Sequence, residues 1–173
     1  MSTGLELNDV TIRFGGLKAV GELSFAVAPG ELVGLIGPNG AGKTTVFNLI
    51  TGVYTPTAGQ IHFNGVAVPG KKPHEITRMG IARTFQNIRL FHSLSVLDNV
   101  LLGYRLRGDR TALAAAEGRA RALLMEVGLA DRLDDRPAQL SGGMRQRAAL
   151  ARTLCEDRPV VLMDEPFAHL DAV

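Results

Sequence analysis

The sequence predicts an α/β protein: an α/β core with a small antiparallel β element at its front and a helical segment inserted before its last strand. Three observations carry that expectation. Residues 5–13 (LELNDVTIR) and 23–28 (LSFAVA) alternate apolar and polar, the period of a half-buried strand. Residues 31–36 (ELVGLI) and 160–163 (VVLM) are short apolar runs of the kind buried on both faces of a parallel sheet. From Ser95 to Glu156 helical signals dominate.

In chain order, Pro29-Gly30 makes a turn after the second strand. A glycine-rich loop follows residues 31–36 and opens a helix that runs through about Thr51. Residues 52–60 are rich in turn formers, 61–63 (IHF) begin another strand, and Asn64-Gly65 is a hairpin signal. Residues 75–82 (EITRMGIA) read as a short helix. Ser95, with Asp98 three residues on, forms an N-cap pair, after which Leu97, Val100, Leu101 and Tyr104 share one helical face. Residues 111–127 are helix formers closed by Gly128 as a C-terminal cap, and 142–156 open on two glycines and continue as helix. No internal repeat or low-complexity tract interrupts this order.

Composition narrows the function classes. The 173 residues are 46% hydrophobic and 21% charged, which suits a globular domain with a real core. A net charge of +2 argues against a general polyanion binder, so no nucleic-acid partner is expected. The single cysteine, Cys155, rules out a disulfide within the chain and reads as a small buried apolar residue in a helix. No apolar run reaches the roughly 20 residues that span a bilayer, and the N-terminus carries no secretory pattern.

Gly37-Pro38-Asn39-Gly40-Ala41-Gly42-Lys43-Thr44 matches G-x-x-x-x-G-K-[ST] between a strand and a helix. Glycines let backbone N–H groups turn toward phosphates without a Cβ in the way. The helix start adds partial positive charge. Lys43 reaches the β- and γ-phosphates, and the Thr44 hydroxyl is suited to Mg²⁺, with Thr45 beside it in the first turn. ATP and Mg²⁺ are thus the expected ligands. Asp164 and Glu165 end the second apolar run. Alone they would be ordinary turn acids; beside a phosphate loop, Asp164 suits the metal and Glu165 suits the attacking water.

Leu140-Ser141-Gly142-Gly143-Met144 opens a second helix with an anion-binding pattern, yet no second Lys-Thr accompanies it. Two such helix starts and one lysine loop suggest a nucleotide shared between two chains. With Gln86 between them, the chain resembles the ATP-binding subunit of an ABC transporter. The resemblance covers nearly the whole chain in family order: Phe14, the Walker A loop 37–44, Gln86 of the Q-loop, the signature 140–144, Walker B at 160–165 and the D-loop Ala168-His169-Leu170-Asp171. It implies a P-loop NTPase core over 1–87 and 158–173, with a helical subdomain over 88–157 that holds the signature.

The resemblance also implies roles. Phe14 would stack on adenine. Gln86 would sense Mg²⁺ or the γ-phosphate. Ser141, Gly142 and Gly143 would cap the γ-phosphate of a second subunit's ATP. Glu165 would be the catalytic base, and Asp171 would contact the facing subunit. Expected partners are transmembrane permease subunits, a second ATP-binding subunit (identical or not) and, indirectly, an external substrate-binding protein. The expected place is the cytoplasmic face of the cell membrane. Residues 47–52 (FNLITG) and 80–91 (GIARTFQNIRLF) are similar to the branched-chain amino-acid importers, with urea importers and the lipopolysaccharide-export ATPase nearby. Residues 140–147 (LSGGMRQR) are more similar to importers of nitrate- or taurine-like anions.

One departure stands out. The family's switch histidine has no counterpart among His62, His74, His92 and His169, and Val173 ends the sequence before the family's last core strands. The resemblance therefore leaves open a fragment or a short form that binds nucleotide with little hydrolysis. A soluble relative acting on nucleic acid or ribosomes is disfavoured by the single short cassette. Finally, Ile88, Leu90, Phe91 and Leu94 lie close together, with Arg83 and Arg89 flanking them as rim contacts. That stretch is the expected docking place for a membrane partner.

Overall fold

The computed structural model describes residues 4–84, 90–108 and 110–164. The chain divides into two compact units, Met1–Ile81 and Ala82–Val173.

In the first unit, β1 (Leu5–Phe14) pairs antiparallel with β2 (Leu17–Val27), and the helix α1 spans Lys43–Ile50. β3 (Ala58–Phe63) lies on the other side of β1, and β4 (Val66–Ala67) on its far edge, in the order β2-β1-β3-β4. Alternation in β1 buries Leu5, Leu7, Val10 and Ile12, as its period predicts. The Asn64-Gly65 turn has φ 48° and 76°, the pair of positive values that a two-residue hairpin loop demands, and Phe63 sits opposite Val66. Register slips between Leu7 and Val10, where Asp9 takes φ 50°. There the Asp9 N–H donates to Ser24 Oγ at 2.8 Å, and that hydroxyl donates to Asp9 Oδ1 at 2.9 Å. This irregularity makes Gly59 obligatory: a Cβ there would sit 2.4 Å from the Asp9 carbonyl oxygen. A short helix α2 (Pro73–Met79) ends the unit, capped by Gly80 at φ 118°.

Two expectations need correction here. β2 begins at Leu17, six residues before the alternating stretch, because Glu22 at φ 52° bulges the strand and hides its period. Residues 31–36 form no strand. Leu32 and Ile36 are 98% and 95% exposed. An apolar run becomes a strand only when neighbouring strands take up its N–H and C=O groups. Among the described residues none pairs with this one.

The second unit is mostly helical: α3 (Val96–Arg107), α4 (Arg110–Glu126) and α5 (Gly142–Cys155) pack together around Val96, Val100, Leu101, Ala120, Leu124, Leu129, Ala148, Ala151 and Cys155. Ser95 caps α3 by accepting the Asp98 N–H at 3.1 Å, and Gly128 closes α4 at φ 69°. Both match expectation. So does Cys155, which is fully buried and whose thiol pKa is pushed up by loss of water. β5 (Ile81–Arg83) pairs with β6 (Val160–Leu162) in a separate two-stranded sheet. The helix expected through residue 82 therefore stops at Met79, because the Gly80 turn starts a strand instead.

A polar anchor sits inside this apolar unit. Asn99 is fully buried, and its Oδ1 accepts the Phe91 N–H at 2.7 Å. Its amide donates to the carbonyls of Phe91 at 3.1 Å and Ser95 at 2.9 Å. One side chain thus satisfies both backbone groups of Phe91 and pins the entry to α3. Asn99→Ala should cost about 1–3 kcal/mol, since it leaves the part-buried Phe91 N–H without its acceptor. Urea denaturation followed by circular dichroism measures this.

Candidate functional site

The loop 37–44 lies in the first unit and ends where α1 begins. Gly42 is the N-cap of α1 at φ 87°. A Cβ on it would meet the Ala19 carbonyl oxygen at 2.7 Å and Val20 Cγ2 at 3.2 Å. Both conformation and space therefore require glycine. Gly40 also takes a positive φ, 83°, in open surroundings. The Ala41 N–H donates to the Pro38 carbonyl at 3.2 Å, closing a turn inside the loop. Lys43 Nζ donates to the carbonyls of Gly37 at 2.5 Å and Pro38 at 2.9 Å. The ammonium is thereby held over the mouth of the loop, at the helix end where the first backbone N–H groups have no intrahelical acceptor. Asn39 and Thr44 are exposed, and Thr45 is half-buried in the first turn. The arrangement is one that concentrates donors and positive charge on an anion.

Phe14, at the end of β1, is 44% exposed and meets the Tyr54 ring edge-on, centroids 5.1 Å apart. Sequence reasoning did not single out Tyr54, which looked like one of many turn-region residues.

In the second unit, Asp164 follows β6 and is buried. Its Oδ2 accepts from the Arg83 guanidinium at 2.8 Å, with both side chains 6% exposed. The Asp164 N–H donates to Thr84 Oγ1 at 3.2 Å, and the Thr84 N–H donates to the Leu162 carbonyl at 2.9 Å. The carboxylate is therefore fixed by the neighbouring strand. This corrects the expectation for Arg83, which is no rim residue but the buried counter-ion of Asp164. The only signal was general: a charged residue in a buried strand needs an opposite charge, but the sequence does not say which of the distant acids supplies it. Leu90 is likewise buried in the helical core, whereas Phe91 stays 53% exposed. Gln86, Ile88, Arg89, Glu165, His169 and Asp171 lie outside the described residues.

Ser141 caps α5, its Oγ accepting the Met144 N–H at 3.2 Å, and Gly142 and Gly143 form the first turn. A Cβ on Gly142 would meet nothing within 4 Å. The packing of the described residues gives no reason for glycine there, unlike at Gly42.

For Mg²⁺, each described candidate taken by itself, the Thr44 hydroxyl in the first unit and the Asp164 carboxylate in the second, is a hard oxygen donor of the type this ion takes, and the Asp164 carboxylate already carries Arg83 on one oxygen. No group of three or more His, Cys, Asp or Glu side chains able to hold a metal occurs among the described residues, so a dedicated protein cage is not what these residues offer.

The ABC transporter family profile matches residues 20–168. The sulfate/thiosulfate import ATP-binding protein CysA of Pseudomonas aeruginosa is 42% identical over 171 residues, covering 97% of this chain and 51% of that protein. The high-affinity branched-chain amino acid transport ATP-binding protein LivG of Escherichia coli K12 is 37% identical over 180 residues, covering 96% of this chain and 71% of that protein. Among solved structures, an ATP-binding cassette of an ABC transporter in its ADP conformation superposes with a TM-score of 0.81 at 29% identity, covering 98% of this chain and 71% of that one. The chain thus spans about half the length of the sulfate/thiosulfate relative.

The buried ion pair makes its own prediction. Arg83→Met should destabilise the chain by about 3–5 kcal/mol, because the Asp164 charge is left buried and alone. Adding Asp164→Asn should recover part of that loss. Urea unfolding of the single and double variants checks both signs.

Proposed function

The chain belongs to the ABC transporter family, and from that premise we propose that it is an ATP-binding and ATP-hydrolysing subunit that powers import across the cytoplasmic membrane. The observation that carries this reading is the loop 37–44. Its Gly42 has room for no other residue, and its Lys43 ammonium is held over Gly37 and Pro38. A single ATP-binding domain over 1–173 would hold a core of 1–87 and 158–173 and a helical part of 88–157.

The roles follow from chemistry. Backbone N–H groups of the loop and the start of α1 bind the phosphates, and Lys43 adds a full positive charge at the β- and γ-phosphates. Phe14 offers an exposed ring for the adenine. Thr44, Asp164 and Gln86 would hold Mg²⁺. When bound, that ion neutralises charge on the phosphates. Glu165 takes a proton from the water that attacks the γ-phosphorus, giving ADP and phosphate. Ser141, Gly142 and Gly143 supply N–H groups to the γ-phosphate of a second subunit's ATP, so that two chains enclose two nucleotides. The open space at Gly142 supports this, since a glycine not needed by its own fold is explained by a ligand that approaches the backbone closely.

On the same premise we propose that a permease docks against the stretch that holds Phe91, whose backbone Asn99 clamps while its ring stays exposed. No helix among the described residues is long and apolar enough to cross a membrane; attachment to the inner face through that partner is part of the proposal. A substrate-binding protein would deliver cargo from outside. For the cargo we propose branched-chain amino acids, on the stretch 80–91, with urea or a sulfate-, nitrate- or taurine-like anion as the alternative.

Three measurements test this reading. Lys43→Ala should cost about 2–4 kcal/mol of ATP affinity, the scale of a charge-assisted contact, in titrations with a fluorescent ATP analogue. Unchanged affinity sinks the loop assignment. Glu165→Gln should accumulate ATP-dependent dimers on size exclusion; folded protein that stays monomeric at high ATP counts against the shared site. Within that variant, Gly142→Ala should leave thermal stability within about 1 kcal/mol, the scale of a helix propensity change, while weakening the dimer.

A further inference from the structure

We propose that Tyr54 is a positioning residue for the nucleobase: with Phe14 it forms a two-ring platform for the purine of the nucleoside triphosphate held at 37–44. This rests on the reading of 37–44 as the phosphate loop and of Phe14 as the base contact.

The two rings come from residues 40 apart in sequence, yet their centroids lie 5.1 Å apart with planes inclined at 72°. That is the edge-to-face arrangement favoured by the quadrupoles of aromatic rings. The pair is not part of the buried core of its unit, since Phe14 is 44% and Tyr54 37% exposed. Two large rings locked to one another but left facing water are an arrangement suited to a flat ligand.

The backbone on both sides is braced. Tyr54 follows the C-terminus of α1, where the N–H groups of Val53 and Tyr54 both donate to the Asn48 carbonyl, at 2.9 and 3.1 Å. Gly52 turns the chain there at φ 71°, with the Lys71 carbonyl oxygen 2.6 Å from where a Cβ would be. Three residues on, the Thr57 N–H donates to the Thr11 carbonyl at 2.7 Å, and Thr57 Oγ1 accepts the Arg13 N–H at 3.1 Å. The Tyr54 loop is therefore stitched to the end of β1 that carries Phe14.

The platform is also tied to the phosphate loop within the same unit. Phe14 pairs with Leu17 across the hairpin turn, and two residues further Ala19 lies against Gly42. From the other side, α1 runs from Lys43 to Ile50 and delivers the chain to Tyr54. Phosphate loop and ring pair are thus joined by one helix and one hairpin, both short and hydrogen-bonded. The Tyr54 ring restricts the Phe14 rotamer, so less side-chain freedom is lost when a base stacks.

Isothermal titration with ATP and with inorganic tripolyphosphate separates base from phosphate contributions. Tyr54→Ala should weaken ATP about tenfold while leaving tripolyphosphate unchanged, the size of effect expected for one disordered stacking partner. Tyr54→Phe should bind ATP like the parent, because the ring and not the hydroxyl is used. If Tyr54→Ala does not fold, Tyr54→Leu takes its place, with the same loss expected against Tyr54→Phe. Parent-like ATP binding by Tyr54→Leu or Tyr54→Ala overturns the proposal. So does an equal loss for both ligands, which would make Tyr54 a support of the phosphate loop alone. Phe14→Ala and Lys43→Ala mark the underlying reading: it fails if the first spares ATP affinity, or if the second spares both ligands.

Discussion

The close approach of the Ala19 carbonyl to Gly42 is the constraint on which the candidate site depends. A glycine at φ 87° lets the chain leave the loop and enter α1 in a single step, and β2 occupies the space where any side chain would go. That contact sets where α1 starts. The start of α1 places the Lys43 side chain back over Gly37 and Pro38, and the axis of α1 decides where Tyr54 emerges. A larger residue at 42 would have to move either the strand or the helix, and with it every group that the loop presents.

The Arg83–Asp164 pair does for the second unit what Gly42 does for the first, but by charge. A carboxylate at a strand end surrounded by apolar residues is costly unless an opposite charge meets it. Arg83 sits on the adjacent strand and supplies that charge at 2.8 Å, while Thr84 takes the Asp164 N–H. The two strands are only three residues long, so their register leans heavily on these polar contacts.

Most local elements were legible because their signals are local. The Asn64-Gly65 turn, the Ser95 cap and the Gly128 stop each depend on residues within one or two turns of themselves. The alternating β1 was legible because one face of a strand answers to one core. What failed was non-local. Residues 31–36 carry strand composition, but a strand exists only with a partner, and sequence composition does not name the partner. β2 was cut short because the bulge at Glu22 breaks the period that would reveal it. Asn99 was passed over because its value lies in satisfying the backbone of Phe91, eight residues earlier, and no periodicity reports that. Of the site, the glycine loop was legible residue by residue, since its conformational demands are met by few sequences. Arg83 and Tyr54 were not, because their partners lie 81 and 40 positions away.

These pieces share a design. Lys43, Asp164 and the Phe91 backbone are each held by a short hydrogen bond to a fixed neighbour: two loop carbonyls, an arginine on the next strand and a buried asparagine. Phe14 is held by a ring instead. Each group is therefore ordered before any ligand arrives, and the free energy of binding is not spent on ordering it. Gly142 is the exception. A Cβ built on it would meet no described atom within 4 Å, at a helix start where alanine would fit. A glycine there costs helix propensity, and no described residue packs where its side chain would be, which is why a ligand from outside the chain is proposed for it.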